Sequence, residues 1–127
     1  MLHHISLGVA DLEVAGAFYD AVLGALGYRR VFEDATAIGY GVHEGKDKLC
    51  LKQRAGAQAP GPGFHLALAA PTREAVDRFH VAALAAGGKD NGPAGLRPGY
   101  GANYYAAFVV DPDGHHVEAV INSPDPS

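Results

Sequence analysis

Three side chains in this 127-residue chain are of the types that hold a divalent metal: His4, His65 and Glu118. Two imidazoles and one carboxylate form a facial ligand set with open coordination positions, iron(II) being the common occupant. A single carboxylate against a dication leaves the site net positive. A bound carbonyl is then polarised, or a bound water acidified. The three residues lie far apart in sequence, so the case for grouping them rests on where each one sits. Glu118 stands in the alternating run HVEAVI that follows FVVDPDG. Apolar runs on both sides of the turn Asp111-Pro112-Asp113-Gly114 predict a β-hairpin. A carboxylate in a strand otherwise built of Val, Ala and Ile must face solvent, pair with a cation or bind a metal.

The elements that position the two histidines come next. Residues 2–9 read as a strand, with His4 and Ser6 on one face and His3, Ile5, Leu7 and Val9 on the other. Asp11 is placed to cap a helix whose apolar face is Val14, Phe18, Val22 and Leu26 with Ala15 beside them, and Gly27 is placed to end it. Residues 28–33, 37–42 and 48–53 read as three short strands. Residues 55–63 (AGAQAPGPG) have no periodicity and read as a linker. The pattern then restarts. Residues 64–70 form a strand, Pro71-Thr72 opens a helix with the stripe Ala75, Val76, Phe79, Ala83 and Leu84, and Gly87-Gly88 ends it.

Set side by side, the two halves match at one offset of sixty-one: His4 with His65, Phe18 with Phe79, Gly27 with Gly88. The second half carries a longer loop over residues 90–103. With that insertion, Lys48-Leu49-Cys50-Leu51 falls on His116-Val117-Glu118-Ala119. The chain is therefore an α+β protein of two tandem βαβββ modules in one domain. Module one covers about 1–54, the linker 55–63, module two about 64–122 and a polar tail 123–127. The repeat places the two histidines at equivalent positions with Glu118 at a third, each on the strand face opposite the helix.

Other residues join this constellation. His116 shares a face with Glu118 and serves as general base or as a partner to it, or simply as a residue of the hairpin rim. His115 is expected to point away. The loop GLRPGYGANYY offers Arg97 for a substrate anion and Tyr100 and Tyr104 for an aromatic wall; a solvated arginine in a glycine-rich turn is the plainer reading. No G-x-G-x-x-G follows a strand, and no serine–histidine–acid arrangement is legible.

The bulk composition sets outer bounds. The chain is 48% hydrophobic and 19% charged with a formal charge of −4, and its basic residues are scattered, which argues against nucleic acid as a partner. The longest uncharged run, residues 55–72, is broken by proline and glycine and does not read as a membrane span. Cys50 is the single cysteine, and the start lacks a basic then apolar leader; a reducing, cytoplasmic location is expected.

On HHISLGVADLEVAGAFYDAVLGALGY, FHLALAAP and the closing DPDGHHVEAV, the chain resembles the vicinal oxygen chelate superfamily of glyoxalase I, extradiol dioxygenases, fosfomycin-resistance thiol transferases and bleomycin-resistance proteins. The resemblance spans nearly the whole chain and implies a curved, cup-like mixed sheet with helices on its outer face. It also implies metal ligands in the first and last strand of each module, the places held here by His4, Cys50, His65 and Glu118. Cys50 departs from the glutamate that glyoxalase I carries there, and reads either as a thiolate ligand or as a small core residue. A divalent metal (iron, manganese, nickel or zinc), a small-molecule substrate and a homodimer follow from the resemblance, the cup forming within one chain or between exchanged modules of two. Two readings of function are open. One is a metal-dependent enzyme, a lyase, isomerase or dioxygenase, acting on a small carbonyl, thiol-conjugate or aromatic substrate, with Glu118 and His116, or a metal-bound water, moving the proton. The other is a non-catalytic drug- or antibiotic-binding protein of the same fold.

Overall fold

A computed structural model of the chain describes residues 1–124; the end of the expected polar tail, residues 125–127, lies outside the described residues. Module one comprises β1 (Ile5–Val9), α1 (Leu12–Ala25), β2 (Arg29–Glu33), β3 (Ala37–Gly41) and β4 (Asp47–Gln53). Module two comprises β5 (Leu66–Ala69), α2 (Arg73–Ala85), β6 (Lys89–Asp90), β7 (Gly95–Leu96), β8 (Tyr104–Val110) and β9 (His116–Asn122). The fold is α+β, as the sequence predicts, and its mixed strands form two open sheets. The first has the order β1-β4-β3-β2 and the second β5-β9-β8-β6, with β7 added on β8.

Both helices start where their capping side chains allow. The Asp11 carboxylate accepts from the backbone N–H groups of Glu13 (2.9 Å) and Val14 (3.2 Å), and Thr72 Oγ1 accepts from Ala75 N–H (3.0 Å). Each helix ends at a glycine in the left-handed region, Gly27 (φ 95°) and Gly87 (φ 96°). The structural partner of Gly27 is therefore Gly87, not the Gly88 that the repeat offset selects, because α2 is one residue shorter than α1. Gly88 has a different job: a Cβ there would stand 2.6 Å from the Phe18 ring of the other module.

The buried face of α1 is Ala15, Phe18, Tyr19, Val22 and Leu23, continued by Leu26, while Val14 is half exposed. On α2 it is Ala75, Val76, Phe79 and Ala83, with Leu84 outside it. The helices pack on their own sheets and on each other. One continuous core results, joining Leu7, Phe18, Val22 and Leu51 to Val76, Phe79, Val109 and Val117. Phe18 and Phe79, both fully buried, each stabilise this junction by about 1.5–3 kcal/mol.

The β8–β9 turn fastens module two to module one. Tyr19 Oη donates to Asp111 Oδ2 (2.6 Å), and Ala10 N–H donates to Asp113 Oδ1 (2.9 Å). His115 points away from the face that carries His116 and Glu118, as the sequence predicts, and is buried there: its Nε2–H donates to the Gly8 carbonyl (3.0 Å). Asp111 Oδ1 meanwhile accepts from the N–H groups of Asp113 and His115 (2.9 and 2.8 Å), which holds the turn closed. Burial first, and Asp111 second, push the Tyr19 phenol well above its usual 10.0.

Tyr19→Phe leaves the buried Asp111 without that donor, so we expect a loss of about 1–3 kcal/mol in urea denaturation at neutral pH. The exposed substitution Val81→Ala should stay within about 0.5 kcal/mol. The sign of the alkaline response also follows. A phenol whose folded pKa is raised contributes its full stability below pH 10.0 and loses it as pH climbs beyond. Denaturation curves above pH 10 should therefore fall less steeply in Tyr19→Phe than in the native chain.

Candidate functional site

Strand register decides which side chains face away from the helices. In module two the parallel pair β5–β9 sets Leu66 beside Val117 and Leu68 beside Ala119, with Ala67 beside Glu118 between them. Leu66, Val117 and Ala119 join the core, so Ala67 and Glu118 take the opposite, open face. Module one repeats the pattern, with Ile5 beside Leu49, Leu7 beside Leu51, and Ser6 beside Cys50. Cys50 is thus the register counterpart of Glu118, as the sequence repeat has it. On the hairpin partner β8, Phe108 lies opposite Glu118, Ala106 opposite Val120, and Tyr104 opposite Asn122. All three face the same way as Glu118.

Glu118 is only 1% exposed, and both of its oxygens are engaged. Oε1 lies 3.0 Å from His65 Nε2, and Oε2 accepts the Tyr104 phenol hydrogen in a short bond. Tyr104 reaches Glu118 along the strand face because Ala106, the residue between, is small. Burial, then Glu118 itself, pushes the Tyr104 phenol up to about 12, so at neutral pH it remains a donor. Beside this trio opens a cavity of about 440 Å³. His65, His116, Glu118 and Asn91 line it with polar groups, and Phe64, Tyr100, Tyr104 and Phe108 form an aromatic wall. Tyr100 and Tyr104 meet edge to face at 5.2 Å between ring centroids.

The sequence-derived site residues divide as follows. His65, Glu118, His116, Tyr100 and Tyr104 all border this one cavity. Arg97 stands behind the wall: its guanidinium lies 5.4 Å from the centroid of the Phe108 ring and donates to the Pro93 carbonyl. His4 is not brought to His65 and Glu118; it is exposed just before β1, its Nδ1 2.7 Å from that of His3. Cys50 is buried on module one, and its thiol is pushed up by burial and then by Asp47, so it stays protonated there. Among the described residues no group of three or more His, Cys, Asp and Glu side chains is assembled that holds a metal ion.

His65 Nε2 and Glu118 Oε1 bond to each other at 3.0 Å, and among the described residues no third donor joins them, so this pair does not by itself fit a metal ion. The Tyr104–Glu118 bond and the places of Phe64, Asn91 and Phe108 were not anticipated from sequence. Phe108 alone had a signal, since the Asp-Gly turn pairs it with Glu118.

Comparison with known proteins bears on this geometry. The model of the Glyoxalase/Bleomycin resistance protein/Dioxygenase superfamily matches residues 1–119. A glyoxalase/bleomycin resistance protein from Albidiferax ferrireducens is similar at 33% identity and a TM-score of 0.78, over 92% of this chain and 94% of that one. A putative glyoxalase from Bacillus halodurans shares 32% identity with a TM-score of 0.67, over 94% of each chain. A glyoxalase I variant from Zea mays, at 25% identity and a TM-score of 0.73, aligns over 94% of this chain but 46% of its own. No curated protein matches. With module register, paired helices and matched sequence in agreement, the chain belongs to the glyoxalase/bleomycin resistance protein/dioxygenase superfamily.

Proposed function

We propose that this protein is a cytoplasmic, metal-dependent enzyme of the glyoxalase type. It acts on a small carbonyl, thiol-conjugate or aromatic substrate, as a lyase, isomerase or dioxygenase, with the metal held by His4, His65 and Glu118. The observation that carries this reading is the buried carboxylate of Glu118, set 3.0 Å from His65 on an open sheet face beside a cavity. Within one chain the set is a donor short, so His4 comes from a second copy and the working unit is a homodimer of exchanged modules. Module one of one chain then faces module two of the other, with Cys50 beside His4 at the rim of the shared site.

His4, His65 and Glu118 would hold the metal, which would supply Lewis-acid polarisation of a bound substrate oxygen. The chain's own groups do the rest. His65 and Glu118 present their donors already oriented. Tyr100, Tyr104 and Phe108 hold the apolar part of the substrate and exclude water from it. Arg97, behind Phe108, adds positive charge on the side where an anionic substituent would lie. His116, on the cavity wall, accepts the substrate proton.

A specific observation favours the second reading, a drug- or antibiotic-binding protein. Cys50 holds the fourth ligand place, and four aromatic rings line the cavity. Metal analysis separates the two. Protein purified without chelator should carry iron, manganese, nickel or zinc near one per chain. His65→Ala and Glu118→Ala should each reduce this to background in elemental analysis. Native protein that takes up none of these metals would sink the enzyme reading. Metal that persists in both variants would place the site elsewhere.

A further inference from the structure

We infer that Arg97 is a positioning residue that fixes the aromatic wall of the cavity and so decides which ligand shape enters; this rests on the cavity as the ligand site and not on a metal. The insertion over residues 90–103 has no counterpart of its length in module one, and it carries Asn91 and Tyr100 to the cavity. It folds around the Arg97 guanidinium. That group lies over the Phe108 ring, 5.4 Å from its centroid, and Nη2 donates to the Pro93 carbonyl. Two glycines leave the room it occupies. A Cβ on Gly92 would stand 3.3 Å from Nη2 and 3.2 Å from the Phe108 ring, and one on Gly95 would stand 3.3 Å from Nη1. Both prongs of the planar fork are therefore seated, which a lysine ammonium cannot reproduce.

The seated group ties the parts of the wall together. Phe108 N–H donates to the Gly92 carbonyl (2.8 Å), so the ring under the guanidinium and the start of the insertion hold each other. Arg97 N–H donates to the Tyr104 carbonyl (2.8 Å), and the Arg97 carbonyl accepts from Tyr100 N–H (2.9 Å). Tyr100 is 68% exposed, so burial does little to fix its ring; the loop backbone and the edge-to-face contact with Tyr104 do. Arg97 thus bonds or stacks with the residues that carry three rings of the wall, Tyr100, Tyr104 and Phe108. Without the guanidinium the insertion lifts from β8, and Tyr100 leaves the cavity first. A wall held in this way suits a flat aromatic ligand, because ring–ring contacts add most to affinity when the protein's rings are already in place.

The test compares the full-length native chain with Arg97→Lys, which keeps the charge, and Arg97→Met, which keeps the bulk of the stem. Amide hydrogen exchange reads the insertion, and the fluorescence of 2-naphthol, a flat uncharged probe, reads the cavity. We expect the Tyr100 and Phe108 amides to exchange about 10–100-fold faster in both variants. The amides of β4, in the other module, should keep their native rates. Both variants should also bind 2-naphthol about 2–10-fold more weakly. Native exchange and native affinity in Arg97→Lys would show that charge alone matters and would overturn the proposal. Native exchange in Arg97→Met would overturn it as well. Native protein that does not bind 2-naphthol would overturn the claim on ligand shape, whatever its metal content. Should Arg97→Met not fold, Arg97→Lys decides by the same two readings.

Discussion

The structure depends most on one buried side chain, the carboxylate of Glu118. Removing a carboxylate from water without partners costs far more than a small domain's stability, so the surroundings of Glu118 have to satisfy both oxygens. Three strands cooperate to do so: β9 carries the carboxylate, β5 follows directly on His65, and β8 begins with Tyr104. Their alignment depends on the tight turn at Asp111–Gly114, which sets Phe108 opposite Glu118 and leaves Ala106 as the gap across which Tyr104 reaches. The same turn is bonded through Tyr19, Ala10 and Gly8 to the first module. The site and the junction between modules are therefore one piece of structure. Loosening the junction should loosen the site.

The two modules share a fold and differ in chemistry. Their first and last strands pair in the same register, so His4, Ser6 and Cys50 stand where His65, Ala67 and Glu118 stand. Module two has a hydrogen-bonded histidine–glutamate pair and a cavity; module one has an exposed histidine and a buried thiol. This difference shows how Cys50 is accommodated. A thiol beside small residues needs no partner, whereas a second glutamate there would need one in every unpaired chain.

Much of this was legible in the sequence because strand alternation and the internal repeat are short-range signals. They placed Glu118, His65 and His116 on one face and matched Cys50 to Glu118. What they missed has physical causes. Stepping by four residues around a helix drifts by about 40° each time. The stripe through Val14, Phe18, Val22 and Leu26 therefore leaves the buried face at its first member: Val14 is exposed while the other three are buried. Alternation put His115 on the side opposite Glu118, but it could not show that the ring is buried there and bonded to Gly8 of the other module, which depends on how the modules pack. The Tyr104–Glu118 bond is a diagonal contact that requires knowing the hairpin register and the size of Ala106 together. A repeat describes each module alone, so it could not reveal that His4, His65 and Glu118 do not come together among the described residues.

The most direct measurement of a site shared between copies is metal content after mixing two defective chains, one with His4→Ala and one with Glu118→Ala. Each alone should be unable to hold metal. In a mixed dimer of exchanged modules, one cup carries both lesions and the other carries none. Unfolding and refolding the two chains together should therefore restore one metal per mixed dimer in elemental analysis. Mixed dimers that form, as shown by differential tags, and still hold no metal would contradict the account.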